Sequence, residues 1–188
     1  MRYATTALRC WLTAAALLLA LSLLNIPVLA AENSTDNFTR SKTYSGQFSD
    51  LPEDHTFYEN VAALYEYGLS VGQADGTYGL TVPMTVGQAV IFAGRIRSLY
   101  RTGDPEAGPA AFTAAAIGLK DAQRVYAPYL WYLQAEGVLD KTLDDQLSNV
   151  AARAQMAHVL ANLLPEEALP LINDSLVTQG YASRRRIT

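Results

Sequence analysis

The sequence contains the same pattern twice, around residues 46–100 and again around residues 117–165. Each copy has an apolar stripe with helical spacing, a loop and a second helical stripe. The copies align at an offset of 69 residues in the first stripe and 67 in the second. The aligned positions are Phe57, Val61, Leu64 and Gly68 with Tyr126, Leu130, Leu133 and Gly137, and Ala89, Phe92, Ala93 and Ile96 with Met156, Val159, Leu160 and Leu163. Because insertions and deletions collect in surface loops, this register predicts a tandem repeat of helix, loop and helix.

The N-terminus has the pattern of a secretory signal peptide over residues 1–30. A basic start is followed by an apolar run from Trp11 to Leu24 and by compact residues up to Ala30. The run is shorter than the roughly 18–20 residues of a membrane span, so we expect export and cleavage, with an uncleaved anchor as the alternative. After cleavage we expect no membrane segment and no cysteine, since Cys10 is the only one.

Charge and composition argue against several function classes. The formal net charge is −4, and residues 1–30 carry arginines but no acidic residue, so the exported form is more acidic still. Nucleic acid binding is not expected, because phosphate contacts need a basic surface. The two histidines, His55 and His158, have no neighbours at metal-ligand spacing. We therefore predict no enzyme, no metal site and no cofactor.

Composition also divides the chain into segments. Residues rich in Ser, Thr and Asn precede the first copy, and Gly and Pro separate the two copies. The predicted segments are a flexible spacer over residues 31–45, module 1 over residues 46–101, a linker over residues 102–116, module 2 over residues 117–167, and residues 168–188 as a lead-in to a missing third module with a disordered tail.

Local signals predict where the helices begin and end. Gly68 is placed to end the first helix, and Thr85 with Gln88 has the spacing of a capping box at the start of the second. Pro128 is expected in the opening turn of the third helix. The predicted helices cover about residues 56–67, 86–101, 127–136 and 152–164.

These motifs resemble those of S-layer homology modules. The resemblance lies in an Asp-opened aromatic helix, a loop like Gly-Asp-Gly and a helix start like Thr-Arg-Ala-Glu. The matching stretches are Phe48-Ser49-Asp50, Gly72 to Tyr78 and Thr85 to Gln88 in module 1, and Leu119-Lys120-Asp121 and Ala152 to Gln155 in module 2. The resemblance implies an all-α fold of tandem helix-loop-helix repeats that pack as an incomplete pseudo-threefold bundle.

The same resemblance implies non-covalent anchoring to the bacterial cell wall, through binding of pyruvylated secondary cell-wall polysaccharide. The expected location is therefore the cell wall or S-layer of a secreted protein. In such a site a guanidinium pairs with a ketal carboxylate, glycines admit a sugar close to the backbone, and a ring stacks on the sugar. The candidate ligand-binding residues are Arg153, Gly72, Asp75, Gly76, Phe57, Tyr126, Gln155 and Gln88.

Each candidate has a purely structural alternative. Arg153 could pair with a nearby acidic side chain. Phe57 and Tyr126 could be core anchors, and Gln88 is explained by the capping box alone. The glycine loop could be a turn that binds no ligand. Asp50 and Asp121, which open the two modules, could be capping or turn residues.

Two departures from the family pattern favour a different function. The family arginine is present in module 2 as Arg153, but its counterpart in module 1 is Val86, which cannot bind a carboxylate. Module 2 lacks a loop glycine between Asp140 and Asp144. The alternative is a secreted helical protein-interaction module with a decayed sugar site.

The C-terminus predicts an incomplete assembly. Leu169 to Asp174 resembles the start of a third module, but the residues that follow are too few for helix, loop and helix. Uncovered apolar helix faces would then lead to self-association or to a partner that completes the bundle.

Overall fold

The computed structural model describes residues 33–169, and in this range the chain is all-α, as predicted. Five helices and two short 3-10 turns, at Thr35–Asn37 and Glu166–Ala168, make up its regular structure. The helices are α1 (Tyr58–Glu66), α2 (Val86–Thr102), α3 (Ala107–Ala116), α4 (Asp121–Ala135) and α5 (Arg153–Ala161). None of these helices is long and apolar enough to cross a membrane. The predicted signal peptide and nearly all of the predicted third-module lead-in and tail lie outside the described residues.

The main hydrophobic core surrounds α2. This helix packs against α3, α4, α5 and the first 3-10 turn, and α3 and α4 pack closely against each other. The second helix of the first copy therefore joins both helices of the second copy in one core. Its buried members are Val86, Ala89, Val90, Ala93, Leu130, Leu133, Val138, Leu139, Leu143, Val159 and Leu163.

A second, aromatic cluster holds α1. Phe48 lies at its centre, with ring centroids 5.3 Å from Tyr78 and 5.6 Å from Tyr65. The other members are Leu51, Val61, Tyr44, Tyr58 and Leu80. The cluster joins α1 to the chain on both sides of it, so it fixes the loop that follows α1 as well as the helix.

The ends of α1 and α4 show the repeat in atomic detail. Gly68 and Gly137 both take left-handed conformations, with φ of 71° and 68°. The Leu69 N–H donates to the Leu64 carbonyl, and the equivalent Val138 N–H donates to the Leu133 carbonyl, both at 2.9 Å. These are glycine-terminated helix ends, so the predicted role of Gly68 is confirmed.

The starts of α2 and α5 lie beside each other. Thr85 and Val150 form an antiparallel bridge, and the Ala151 N–H donates to the Met84 carbonyl at 2.8 Å. Equivalent segments of the two copies therefore contact each other just before their second helices begin.

Residues 33–45, which composition predicts to be a flexible spacer, make hydrogen bonds to α1 and α2. The Ser34 N–H donates to the Tyr100 carbonyl at 3.2 Å, and the Ser41 and Lys42 N–H groups donate to the Glu66 carbonyl. The Glu66 carboxylate also pairs with Arg40 at 2.8 Å. Backbone bonds to the ends of α1 and α2 thus hold a segment that has few apolar residues of its own.

The linker predicted over residues 102–116 contains α3, which the sequence analysis missed. Pro109 lies in the first turn of α3, where its missing N–H costs no hydrogen bond. Gly108 donates its N–H to the buried Ser98 hydroxyl at 2.9 Å, and the Tyr132 ring lies where a side chain at Gly108 would extend. These two residues therefore serve helix packing here, not chain reversal.

Two helix boundaries in the second copy were also wrong. α4 begins at Asp121, six residues before the predicted start, so Pro128 lies inside the helix and not in its opening turn. The neighbouring buried side chains Ala127 and Leu130 anchor this part of α4 in the core despite the missing proline N–H. α5 ends at Ala161, three residues before the predicted end.

Candidate functional site

A cavity of about 340 Å³ lies between the loop after α1, the start of α2 and one side chain of α5. Two of the predicted site residues, Gly72 and Gln88, line it. No charged side chain lines it. The other lining residues are Leu64, Leu69, Ser70, Gln73, Tyr78, Gly79, Val82, Met84, Ile91, Phe92 and Met156.

Gly72 shapes the loop wall of the cavity. Its φ is +71°, and a Cβ added there would lie 2.3 Å from Phe48 Cε1 and 2.8 Å from the Thr77 carbonyl oxygen. The Gln73 N–H closes the turn by donating to the same Thr77 carbonyl at 2.8 Å. Only glycine fits this position, because both the backbone conformation and the Phe48 ring exclude a side chain.

Asp75 and Gly76 form the tip of the same loop. The Asp75 carboxylate accepts hydrogen bonds from the Thr77 N–H at 3.0 Å and from the Thr77 hydroxyl at 2.7 Å. These bonds hold the pKa of Asp75 below its ordinary value of 3.8. Both residues are exposed and neither lines the cavity, so the turn accounts for them locally.

Asp50 holds the cavity side of the loop, a role that the sequence analysis missed. Its carboxylate accepts the N–H groups of Tyr78 at 2.6 Å, Gly79 at 2.9 Å and Leu80 at 3.2 Å. These backbone bonds, led by that of Tyr78, hold the pKa of Asp50 below its ordinary value of 3.8. The only sequence signal was an aspartate after Phe48-Ser49, and its partners lie about 30 residues further along the chain.

Gln88 and Gln155 occupy equivalent positions but differ in what their amides contact. Each side-chain oxygen accepts the N–H of the helix N-cap residue at 2.8 Å, Thr85 for Gln88 and Ala152 for Gln155. The Gln155 amide nitrogen donates to Gln146 at 2.5 Å. The Gln88 amide nitrogen has no hydrogen-bond partner among the described residues, and it belongs to a residue that lines the cavity.

Arg153 is an exposed cation near the cavity. It is the first residue of α5, and it makes no hydrogen bond or ion pair with any described residue. The alternative that it pairs with a nearby acidic side chain is therefore not found in the described part of the chain. Met156, which lines the cavity, follows one turn later, so both side chains lie on the same face of α5.

A comparison with known families matches one part of this chain. Residues 47–79 match the model of the S-layer homology domain. The chain contains an S-layer homology domain. The match covers the aromatic cluster around Phe48 and the glycine loop, but not the second copy. No curated protein and no solved structure shows a significant match.

The S-layer homology domain is a binding module and not a catalytic one. Such domains generally anchor proteins to the cell wall by binding its secondary polymer, and they are associated with the cell surface.

Val86 occupies the position of the family arginine in the first copy of the S-layer homology pattern. Its side chain is 0 % exposed and belongs to the main core. Val86 is therefore part of the packed core and presents no charge at the surface.

The two aromatic candidates have different surroundings in this S-layer homology domain. Phe57 was predicted on the buried stripe of the first helix, but it precedes α1 and is 55 % exposed, with its ring centroid 5.7 Å from that of His55. The stripe prediction is wrong at Phe57, because Tyr58 and Val61 face the aromatic cluster instead. The Tyr126 ring packs on Gly87, and a Cβ added to Gly87 would lie 2.7 Å from Cδ2 of the ring. This contact agrees with the interpretation of Tyr126 as a packing anchor.

Proposed function

We propose that this S-layer homology domain attaches the exported protein to the cell wall by binding pyruvylated polysaccharide at the cavity between the two copies. In this proposal Arg153 pairs with the ketal carboxylate. The observation that carries the proposal is the position of Arg153, which is exposed, unpaired with any described residue and on the same face of α5 as the cavity-lining Met156.

The chemistry of Arg153 suits a carboxylate ligand. A guanidinium binds both oxygens of a carboxylate with two parallel hydrogen bonds, which gives orientation as well as energy. Because no described acidic residue pairs with Arg153, a ligand would not have to break an existing ion pair. The chain is acidic overall, with a net charge of −4, so this local cation is needed against general repulsion of an anionic polymer.

The remaining candidates take unequal parts in the proposal. Gly72 and Gln88 contact the ligand, since they line the cavity. Asp75 and Gly76 set the shape of the loop tip. We propose no ligand contact for Phe57, Tyr126 and Gln155, because none of them lines the cavity.

The proposal also requires that the protein reach the outside of the cell. Residues 1–30 supply the pattern of a secretory signal, and we propose that the form acting at the wall begins near residue 31.

The test compares variants of Arg153 for binding to purified wall polysaccharide that retains its pyruvyl groups. Arg153→Ala should weaken binding roughly 10- to 100-fold, the value of hydrogen bonds to a charged group, and Arg153→Lys should restore only part of it. Lys120→Ala is the control, because it removes one exposed positive charge that does not line the cavity. Equal binding by wild type and Arg153→Ala would contradict the proposal.

The second candidate function is a protein-interaction module with a decayed sugar site. Burial of Val86 favours it, because the first copy has turned the family's ligand position into core. A folded chain that binds no wall polysaccharide would favour this function over the first. Self-association, or a partner that completes the bundle, stays a prediction, and light scattering that shows a monomer at micromolar concentration would contradict self-association.

A further inference from the structure

We infer that the cavity between the loop after α1 and the start of α2 binds an uncharged sugar residue of the polymer, separate from the pyruvylated residue that Arg153 takes. The inference rests on the proposed function and divides it into two contacts of different chemistry. An anionic group is bound at the exposed end of α5, and a neutral unit is bound in the cavity.

The charge of the cavity wall carries the first step. None of the thirteen lining residues is an aspartate, glutamate, lysine, arginine or histidine. Arg95 lies behind the cavity wall and donates to the carbonyl of the lining residue Leu69 at 3.3 Å. Its charge is already paired with Glu106 at 2.8 Å. A carboxylate placed in the cavity would lose its water without gaining a cation, which is costly.

The amides of the cavity carry the second step. The Gln88 oxygen accepts the Thr85 N–H at 2.8 Å, so the group of Gln88 without a partner among the described residues is its amide NH2. The Gln73 side chain lies where a side chain on Gly79 would extend, and its amide has no hydrogen-bond partner among the described residues. A sugar hydroxyl both donates and accepts, so the hydroxyls of a sugar suit both amides.

The second copy shows why the Gln88 amide is open. The Val82 N–H donates to the Gly79 carbonyl, and the Asn149 N–H donates to the Gln146 carbonyl, both at 2.9 Å. Gly79 and Gln146 are therefore equivalent positions. In the second copy the Gln146 side chain binds the Gln155 amide nitrogen. In the first copy Gly79 has no side chain to bind the equivalent Gln88 nitrogen, and the Gln73 side chain lies where a side chain at Gly79 would extend.

Apolar side chains complete the site. Ile91 and Phe92 of α2 and Met156 of α5 line the cavity, together with Met84 before α2. The faces of a sugar ring carry C–H groups that pack on such a surface, while its edge carries the hydroxyls that the amides bind. The apolar side chains of the cavity wall thus suit the C–H faces of a neutral sugar, and its two amides suit the hydroxyl groups.

The test uses wall polysaccharide from which the pyruvyl ketals have been removed by mild acid, with the untreated polysaccharide measured in parallel. The variant is Gln88→Glu, since a glutamate at this position can still accept the Thr85 N–H but has no amide hydrogens. The matched control is Gln155→Glu, which makes the same change at the equivalent position outside the cavity. Circular dichroism would show that both variants remain folded.

Wild type should bind the ketal-free polymer more weakly than the untreated one, and Lys120→Ala should bind the ketal-free polymer as wild type does. Gln88→Glu should lower the affinity for it by about tenfold, and Gln155→Glu should leave it unchanged. Binding of untreated but not ketal-free polymer, or equal binding of the ketal-free polymer by Gln88→Glu and wild type, would overturn the inference while leaving the proposed function standing. Binding of neither polymer would overturn both.

Discussion

Gly72 and Gly76 lie in one loop but have different reasons to be glycine. Both have positive φ, at +71° and +83°, but only Gly72 has a neighbour that excludes a side chain. A Cβ at Gly72 would lie 2.3 Å from the Phe48 ring, whereas nothing lies within 4 Å of a Cβ at Gly76. The loop therefore depends on the aromatic cluster at one glycine and on backbone conformation alone at the other.

Replacement of each glycine by alanine separates these effects. Gly76→Ala should lower the free energy of unfolding by about 1 kcal/mol through backbone strain. Gly72→Ala should lower it by more, about 2–4 kcal/mol, because Phe48 must also move out of its cluster. Urea denaturation of both variants measures the difference. Equal losses would show that Phe48 does not constrain Gly72.

Asp50 makes the loop sensitive to acid. Its carboxyl pKa is lowered in the folded state, so the stabilisation is present above the ordinary value of 3.8 and is lost as the pH falls through the lower folded value. Asp50→Asn should be less stable than wild type near pH 6, and the difference between the two thermal midpoints should shrink as the pH falls below the ordinary pKa of 3.8. A difference that stays constant over this range would contradict the role of Asp50.

Single residues differ in how far the sequence alone predicts them. Gly68 and the pair Thr85 and Gln88 act through neighbours a few residues away, so their spacing was sufficient, and the capping box is present with bonds of 2.8 and 3.2 Å. Asp50 acts on backbone groups about 30 residues away, and the exposure of Phe57 depends on where α1 begins. Neither fact is encoded in a local pattern.

The helices α2 and α5 begin in the same way but are capped unequally. The Thr85 hydroxyl accepts the Gln88 N–H at 3.2 Å, and the Gln88 side chain accepts the Thr85 N–H. Ala152 has no side-chain oxygen, so in α5 only the second of these bonds exists, from the Ala152 N–H to Gln155. The helix that carries Arg153 thus has half of a capping box.

Completion of this cap should stabilise the protein. Ala152→Thr should raise the free energy of unfolding by about 0.5–1 kcal/mol, and Thr85→Ala should lower it by about 1 kcal/mol, since each change adds or removes one N-cap bond. Thermal or urea denaturation of the two variants and wild type tests this. A loss of stability in Ala152→Thr would show that the start of α5 cannot adopt the geometry of α2.

Elements were predicted well where apolar periodicity was strong. α1 and α2 lie within about two residues of their expected bounds, because each carries a clear stripe and a capping signal. α3 was missed because Gly108 and Pro109 usually mark loops. In this chain Gly108 faces the Tyr132 ring, a tertiary contact that turn propensity does not reveal.

At the scale of the whole molecule, one half-buried ion pair joins three elements. Arg97 of α2 donates to Glu136, which follows α4, at 3.1 and 3.2 Å, and to the carbonyl of Leu163 after α5 at 3.2 Å. Its side chain is 14 % exposed, whereas that of Arg40, which pairs with Glu66, is 62 % exposed. Arg97 therefore makes an arginine–glutamate ion pair that is largely shielded from solvent, and Arg40 makes one that is exposed.

Removal of the two arginines should have unequal effects. Arg97→Met should lower the free energy of unfolding by about 1–3 kcal/mol, because Glu136 and the Leu163 carbonyl lose a charged donor in a region with little water. Arg40→Met should cost about 0–1 kcal/mol, as expected of an exposed pair. Equal effects in chemical denaturation would contradict the importance of Arg97 in joining α2, α4 and the segment after α5.

The candidate site was predictable as a set of residue types but not as a place. The family motifs point to Arg153, Gly72 and Gln88. In the structure Gly72 of the loop and Gln88 of α2 line one cavity, and Arg153 lies one helical turn before Met156, which lines the same cavity. Gly72 and Gln88 of the first copy and Met156 of the second copy line the same cavity because the starts of α2 and α5 lie side by side, joined by the bridge between Thr85 and Val150. That contact lies between segments more than 60 residues apart, so no local pattern predicts it.

The central claim is that the domain attaches the protein to wall polysaccharide, and sedimentation with cell walls tests it most directly. The chain without residues 1–30 would be mixed with purified walls and with walls from which the polysaccharide has been chemically removed. We expect sedimentation with the intact walls, little with the stripped walls, and a marked loss with intact walls for Arg153→Ala. Folded protein that stays in solution with intact walls, or that sediments equally with stripped walls, would contradict the account.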